Sequence, residues 1–337
     1  MTRAGAALVT LLVGLAAAAF LVAANDPGEI LRLLAAAGGW GVLAVVALRL
    51  PQILFAALGW APLIADPGRP GWAALLRMRW IRDAVNALLP VAQIGGDVVR
   101  ARLLVRRGVG AVPAMASVAV DLATELAAQA AFAAIGLAVL LRLPHRDDAA
   151  GWVIAATAVC AAMASGFLAA QRWGLFRLAE RLRPRRKSGP AAPAPARMTG
   201  LHAAVLHLHR APRRLWASTA AHLLSWLLGT LEAWAALRLL GVEAGLAEAL
   251  VIESLGQLAR SLGFLVPAGL GVQEGGFVLA CGLFGIPPEQ ALAFALLRRI
   301  RDIAFGLPGL VAWRWEAMAA APAAVATAGP AGRTPPS

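Results

Sequence analysis

The 337-residue chain has little of what soluble active sites and covalent staples are made from. Its two cysteines, Cys160 and Cys281, each lie in an apolar stretch without a partner at ligand spacing, which excludes a disulfide framework and gives no sign of a metal site. His202, His207 and His209 fall in a basic stretch with no acidic or thiol company, so they form no metal-ligand pattern either. No hydrolase elbow, P-loop or zincin helix occurs, and the glycines of 269–276 miss the dinucleotide spacing. Neither a cofactor nor a catalytic residue is therefore expected. Charge is scarce as well: 15% of residues are charged and 60% are hydrophobic, against roughly 45–50% apolar in a soluble domain. That excludes a single soluble domain and points to an all-α polytopic membrane protein. Acids are the scarcer sign, 18 against 31 Lys and Arg, for a net charge of +13. The arginines cluster between apolar spans, as in cytoplasmic loops, so membrane orientation accounts for the basicity and no nucleic-acid partner is expected.

Windows 5–24, 41–63, 112–141, 150–171, 217–240 and 289–313 have the length and apolarity of transmembrane helices. The first, with an apolar run of about twenty residues, exceeds a signal peptide's usual 7–15 and reads as an uncleaved helix. Two further segments, 79–105 and 247–286, each hold two half-length apolar pieces joined at a Pro/Gly break and read as re-entrant hairpins. The organisation expected is a first transmembrane helix (1–24), a first repeat (41–142), a connecting span (150–171), a basic cytoplasmic linker (172–216), a second repeat (217–315) and a disordered tail (316–337). Residues 171–216 carry eleven Lys or Arg against one acid, and 65–110 carry eight arginines against Asp66, Asp83 and Asp97. Segments 25–39, 142–149 and 241–256 are balanced or acidic. Both termini and the two basic segments are thus expected in the cytoplasm.

The halves echo one another at a constant offset of 177 residues, which carries Pro90 to Pro267, Asp97 to Glu274, Gly108 to Gly285 and Asp121 to Arg298. Three full spans separate equivalent points, an odd number, so the repeat is inverted and the two hairpins enter from opposite faces. Paired, Pro/Gly-interrupted segments with ionisable residues are what transporter-like proteins place at the membrane midplane.

Several residues on these breaks are candidates for chemistry. Pro90 stops one half-helix, and Gly95-Gly96 allow a turn before the next begins near Asp97. Free amides there, with Asn86 and Arg100 beside them, would suit a phosphate. Asp97 as a plain N-cap and Arg100 as a snorkelling anchor are the alternatives. In the second break, Pro267, Gly269, Gly271 and Glu274 offer mobile glycines and a membrane-embedded acid, which serves either function or capping. Asp121 and Glu125 share one helical face, and the repeat places Asp121 equivalent to Arg298, which suggests a buried ion pair or relay across the two-fold axis.

The phrases Asn86-Ala-Leu-Leu-Pro90, Gly95-Gly96-Asp97-x-x-Arg100 and Pro267-x-Gly-x-Gly271-x-x-Glu274, with Asp121, resemble the flippase-like transmembrane region of the lysylphosphatidylglycerol synthases over about residues 5–315. Segment 79–93 is similar to the hopanoid-biosynthesis-associated, HpnL-like branch. The resemblance implies lipid handling at a bacterial inner membrane, with membrane lipids, and hopanoid or phospholipid enzymes, as partners. The chain stops at Ser337 without the aminoacyl transferase domain of the synthases, so no enzymatic activity is expected of it. Family members often carry Arg after the acid of the third span, where this chain has Leu122. Two other functions are open on the residues alone: a proton- or ion-coupled transporter of a small solute, and a scaffold for hopanoid-lipid enzymes.

Overall fold

The computed structural model describes residues 3–89, 94–143, 150–174, 200–263, 266 and 269–319. Pro90 and Pro267 lie outside the described residues, as do 184–197 and most of the predicted tail. The chain runs α1 (Arg3–Ala23), α2 (Pro27–Trp60) with a 3-10 turn (Ala61–Leu63), α3 (Trp72–Leu88), α4 (Gly95–Arg106), α5 (Ala111–Leu140), α6 (Ala150–Trp173), α7 (Leu201–His209), α8 (Pro212–Leu239), α9 (Leu246–Leu262), α10 (Val272–Gly282) and α11 (Pro288–Ala319). Every regular element among the described residues is helical, as expected of an all-α membrane protein.

All six predicted spans fall on helices, namely α1, α2, α5, α6, α8 and α11. Two stretches, Pro27–Leu63 and Ala111–Leu140, are long and apolar enough to cross a membrane. α8 and α11 match them in length but carry ionisable side chains that the fold buries.

Three segments differ from the sequence expectation. Most of 25–39 is helix rather than loop, because Asp26 caps α2 by accepting from the Gly28 and Glu29 amides at 2.9 and 3.2 Å, with Pro27 in the first turn. Gly38, at φ 61°, then kinks the helix. The 172–216 linker contains α7, whose Leu201, Val205 and Leu208 bury against Ala116 and Val120 of α5. The segment 241–256 is mostly α9, so Glu253 is a core residue and no loop acid.

Half-length helices recur. α3 and α4 have 17 and 12 residues, and α9 and α10 have 17 and 11. The 177-residue offset carries the first residue of α4, Gly95, onto the first of α10, Val272, and Ala111 of α5 onto Pro288 of α11. Even the turns agree. Gly108 (φ 95°) and Gly285 (φ 71°) are both left-handed, and the following amides reach back five residues, Val109 to the Leu104 carbonyl at 3.4 Å and Ile286 to that of Cys281 at 3.2 Å. This is the Schellman-type ending that glycine permits. Exchanging α2 with α8, α3 with α9, α4 with α10 and α5 with α11 maps one half's contacts onto the other's: α3 packs on α11 as α9 does on α5, and α2 packs on α11 as α8 does on α5. α2 and α8 pack together at the centre, and α1 lies beside α10.

Small residues allow these close approaches. A Cβ on Gly96 would stand 2.2 Å from the Arg82 carbonyl oxygen, and one on Gly276 would stand 2.4 Å from the Ala259 Cβ, which is the offset equivalent of residue 82. Because the Arg82 oxygen is backbone, it cannot swing away. Gly96→Ala is therefore expected to lower the melting temperature in detergent, a loss of about 1–3 kcal/mol from overpacking. Gly166→Ala in α6, with nothing within 4 Å, is expected to leave it unchanged or raise it.

Candidate functional site

The middle of the bundle is a layer of paired charge. α3 presents Arg79, Arg82, Asp83 and Asn86, and α11 presents Arg298, Arg301 and Asp302, each set at the i, i+3, i+4 spacing that shares one helix face. α5 adds Asp121, Glu125 and Gln129 at intervals of four. These faces turn inward because, in an apolar bundle, a charge is stable only beside its counter-charge or in a wet cavity.

Two clusters result. In the first, Asp121 is fully buried and accepts from Arg100 Nη1 at 2.6 Å and His222 Nε2 at 2.8 Å, with Arg79 Nη1 at 3.7 Å. Arg100, also without exposure, bonds Asp97 at 2.8 Å and lies 4.5 Å over the Trp60 ring. Glu125 receives Arg79 at 2.7 Å and Arg82 at 3.1 Å, while Arg82 reaches Asp97 at 3.1 Å and Asp83 at 3.0 Å. In the second cluster, Arg298 forks onto both oxygens of Glu253, Arg301 bonds Glu232, and Arg301 Nη2 meets Asp302 at 2.5 Å. Gln52 of α2 joins the two. It donates to Glu232 at 2.6 Å and accepts from Arg49 at 2.7 Å, and Arg49 reaches Asp83 at 3.3 Å.

A cavity of about 380 Å³ opens within this layer. Its charged wall comprises Arg49, Arg79, Arg82, Arg260, Arg298 and Arg301 with Asp83, Glu125 and Asp302. Asn86, Gln129, His222 and Gln257 also line it. Gln52, Ser225 and Ser261 complete its polar part, and the rest of the wall is mainly apolar, from Leu122 and Leu126 of α5, Met163 and Phe167 of α6, Trp226 of α8 and Ile94. Met163 and Ile94 of this lining are 43% and 52% exposed. The cavity is thus amphipathic, with a charged wall and an apolar one, in the size range of small-ligand pockets. Among the described residues no group of His, Cys, Asp and Glu is arranged to hold a metal.

Of the residues singled out from sequence, Asn86, Glu125 and Arg298 line the cavity, and Asp97, Arg100 and Asp121 stand behind its wall. Three of the amides expected to receive a phosphate at Gly95-Gly96 are taken: that of Gly96 donates to Asn86 Oδ1 at 2.8 Å, and those of Asp97 and Val98 to the Ile94 carbonyl. Arg100 is likewise committed to Asp121 and Asp97 instead of closing on a ligand. Gly269 and Gly271 are left-handed, and Gly271 packs near Ala17 of α1. Glu274 caps α10 by accepting from the Gly271 amide at 2.7 Å and pairs with Arg299 at 2.7 Å, away from the cavity lining. The suggested Asp121–Arg298 pair does not form, each being held in a different cluster. Missing from the sequence reading were Arg49, Gln52 and Arg260, whereas Arg301 and Asp302 stand out in the sequence, with Arg298 and Arg299, as charges that interrupt the sixth span. A further internal echo, Arg-x-Ile-Arg-Asp at 79–83 and again at 298–302, ties Arg301 and Asp302 to the matching face of α3.

Removing one partner of a buried pair leaves its mate uncompensated, at about 3–5 kcal/mol. Asp121→Asn is expected to lower the melting temperature by that order, since Arg100 and His222 both lose their acceptor charge. Arg32→Ala, which breaks only the exposed Arg32–Glu29 pair, is expected to leave the melting temperature in place.

The family model of the lysylphosphatidylglycerol synthase TM region matches residues 7–309. A search of curated proteins finds no match.

Proposed function

The chain belongs to the lysylphosphatidylglycerol synthase TM-region family, and from that membership we propose that it is a flippase-like protein that binds a polar-headed membrane lipid and carries it across the bilayer. The observation that carries this reading is the amphipathic cavity: a charged interior for a headgroup, and an apolar wall through Leu122, Leu126, Met163 and Phe167 along which acyl chains lie. A water-soluble solute needs no such apolar exit, which favours the lipid over a small-solute substrate.

In this proposal α1, α2, α5, α6, α8 and α11 cross a bacterial inner membrane with both termini in the cytoplasm. The helix pairs α3/α4 and α9/α10 enter from opposite faces as members of an inverted repeat. The recurring helix lengths, the matching glycine turns and the contacts conserved under exchange of the halves support the repeat. Alternating access then follows from rocking one half against the other around the α2–α8 contact, the usual motion of repeat-built transporters. Hopanoid lipids, and the enzymes that make them, are the proposed physiological context on the similarity of segment 79–93.

Lipid flux in proteoliposomes tests the function. The protein is expected to accelerate dithionite quenching of inner-leaflet fluorescent phospholipid, and Leu126→Trp, which fills the apolar wall, to return the rate to that of empty vesicles. Equal flux with and without this side chain would remove the cavity from the route. Topology is tested in a background with both native cysteines replaced by alanine: Arg69→Cys is expected to label only from the cytoplasmic side, and Glu243→Cys only from the other.

A further inference from the structure

Two seams join the halves of the bundle, α3 on α11 and α9 on α5, and although the 177-residue offset makes them equivalent they are closed by different chemistry. At the end of the first, Glu316 in the last turn of α11 takes Arg77 of α3 at 2.7 Å and Arg107, the C-cap of α4, at 2.6 Å, both on one carboxylate oxygen. The Glu316 side chain is 15% exposed and the two arginines 46% and 29%, so the pairs sit where salt reaches them. The offset turns Arg77, Arg107 and Glu316 into Ser254, Phe284 and Val139, none of them charged. There Val139 and Phe284 pack around Leu140, Val251 and Leu283, and Gly136 lies so close to α9 that a Cβ on it would run into the Ser254 hydroxyl.

α11 also carries a weak point that α5 lacks. Its interior holds Gly306-Leu307-Pro308-Gly309, where the offset places Gln129-Ala130-Ala131-Phe132 in α5. Pro308 has no amide to give the Ala304 carbonyl, and the flanking glycines hold a helix weakly. Both glycines belong to the seam, since a Cβ on Gly306 would meet Leu88 at 2.7 Å and one on Gly309 would meet Ala84 at 2.7 Å. Ala84, Phe305 and Gly306 line the cavity, so parting this seam opens it. Glu316 lies about 10 Å further along the helix axis. We propose that the arm of α11 beyond this break is a hinged lid on one end of the cavity, latched by Glu316 between Arg77 and Arg107, and that the other end has no such latch. This rests on the rocking of the halves proposed above, and in that topology the lid faces the cytoplasm. Its consequence is a dependence of opening on ionic strength from one face only.

Labelling of a cavity thiol tests the lid. Ser225 lines the cavity, and Ser225→Cys is made in the full chain with both native cysteines replaced by alanine, then timed against a membrane-impermeant maleimide in vesicles of each orientation. Raising salt from about 0.02 M to about 0.5 M is expected to speed labelling from the cytoplasmic face about fivefold, the contribution of a partly exposed ion pair, and not from the other face. Glu316→Gln is expected to reach the fast rate at low salt and to lose the salt response. Pro308 is exposed, so Pro308→Ala restores the missing helix bond without a clash and is expected to slow labelling, with the melting temperature unchanged or raised. Cytoplasmic-face labelling that ignores salt, a salt response that survives Glu316→Gln, or a matching rise from the other face overturns the latch. Labelling that Pro308→Ala fails to slow overturns the hinge. Should Glu316→Gln not fold, the salt series on the unchanged latch decides. Lipid flux in the same vesicles separates the lid from the carrier: salt-dependent labelling without flux removes the carrier and keeps the latch, because the label needs no lipid to move.

Discussion

A guanidinium held among apolar helices requires a carboxylate within hydrogen-bonding reach, and this requirement orders the whole bundle. Moving an unpaired charge out of water costs far more than any single helix contact returns, so helices bearing arginine can settle only where another helix brings an acid. α4 is fixed against α5 by Arg100 and Asp121, α3 against α5 by Arg79 and Glu125, and α11 against α8 and α9 by Arg301 with Glu232 and Arg298 with Glu253. Apolar packing in a membrane discriminates poorly between helix registers, since lipid tails are as apolar as leucine. The ion pairs supply the discrimination. Gln52 then ties the two clusters, so that α2 and α8 share one polar layer instead of holding two independent ones.

The backbone of the two halves is more alike than their charges. Glycine turns, helix lengths and close approaches correspond, yet the offset equivalent of Arg100 is Phe277 and that of Glu253 is Leu76. Phe277 packs edge-on to Phe294 at 4.8 Å, and Arg298 lies 5.5 Å over its ring, so an aromatic core stands where the first half has the Arg100–Asp121 pair. A scaffold can keep its repeat while its polar contents diverge, because turns and small residues are set by local geometry and ion pairs only by the sum of charges in the layer.

That difference decides what the sequence made legible. The helices and the two half-length pairs follow from apolar length and from Pro/Gly punctuation, which are local properties. Gly108 and Gly285 were legible for the same reason. The site was only partly legible. The offset made Asp121 and Arg298 equivalent, but residues at equal places in the two halves touch only where the halves meet, and each finds a nearer partner. Arg79 and Arg100 counted as loop arginines although they are buried, Arg82 although it is half-buried and paired, and Glu253 counted as a loop acid, because a charge tally cannot separate a solvated side chain from a paired one. At Gly95-Gly96 one side chain changes the reading, since Asn86 already fills the Gly96 amide that a phosphate would need. Partners such as Trp80 and the Phe305 carbonyl, 225 residues apart, follow only from the packing of α3 on α11.

The balance of the layer bears on how a carrier works. Arg49, Arg79, Arg82, Arg100, Arg260, Arg298 and Arg301 stand against Asp83, Asp97, Asp121, Glu125, Glu232, Glu253 and Asp302, so with His222 neutral the sum is close to zero. A cavity of large net positive charge would hold an anion too firmly to release it, whereas a carrier must bind well enough to admit its cargo and weakly enough to let it leave. In this layer the guanidinium groups are oriented in advance by their carboxylates. In the proposed carrier an incoming headgroup would meet polar groups that are already ordered and need little reorganisation, with the acids offsetting the attraction of the arginines. Under the proposed lipid-carrying function, recognition would rest on the geometry of the layer more than on net charge, and the apolar wall at Leu126 and Met163 would let the rest of the lipid stay in hydrocarbon while its head is bound.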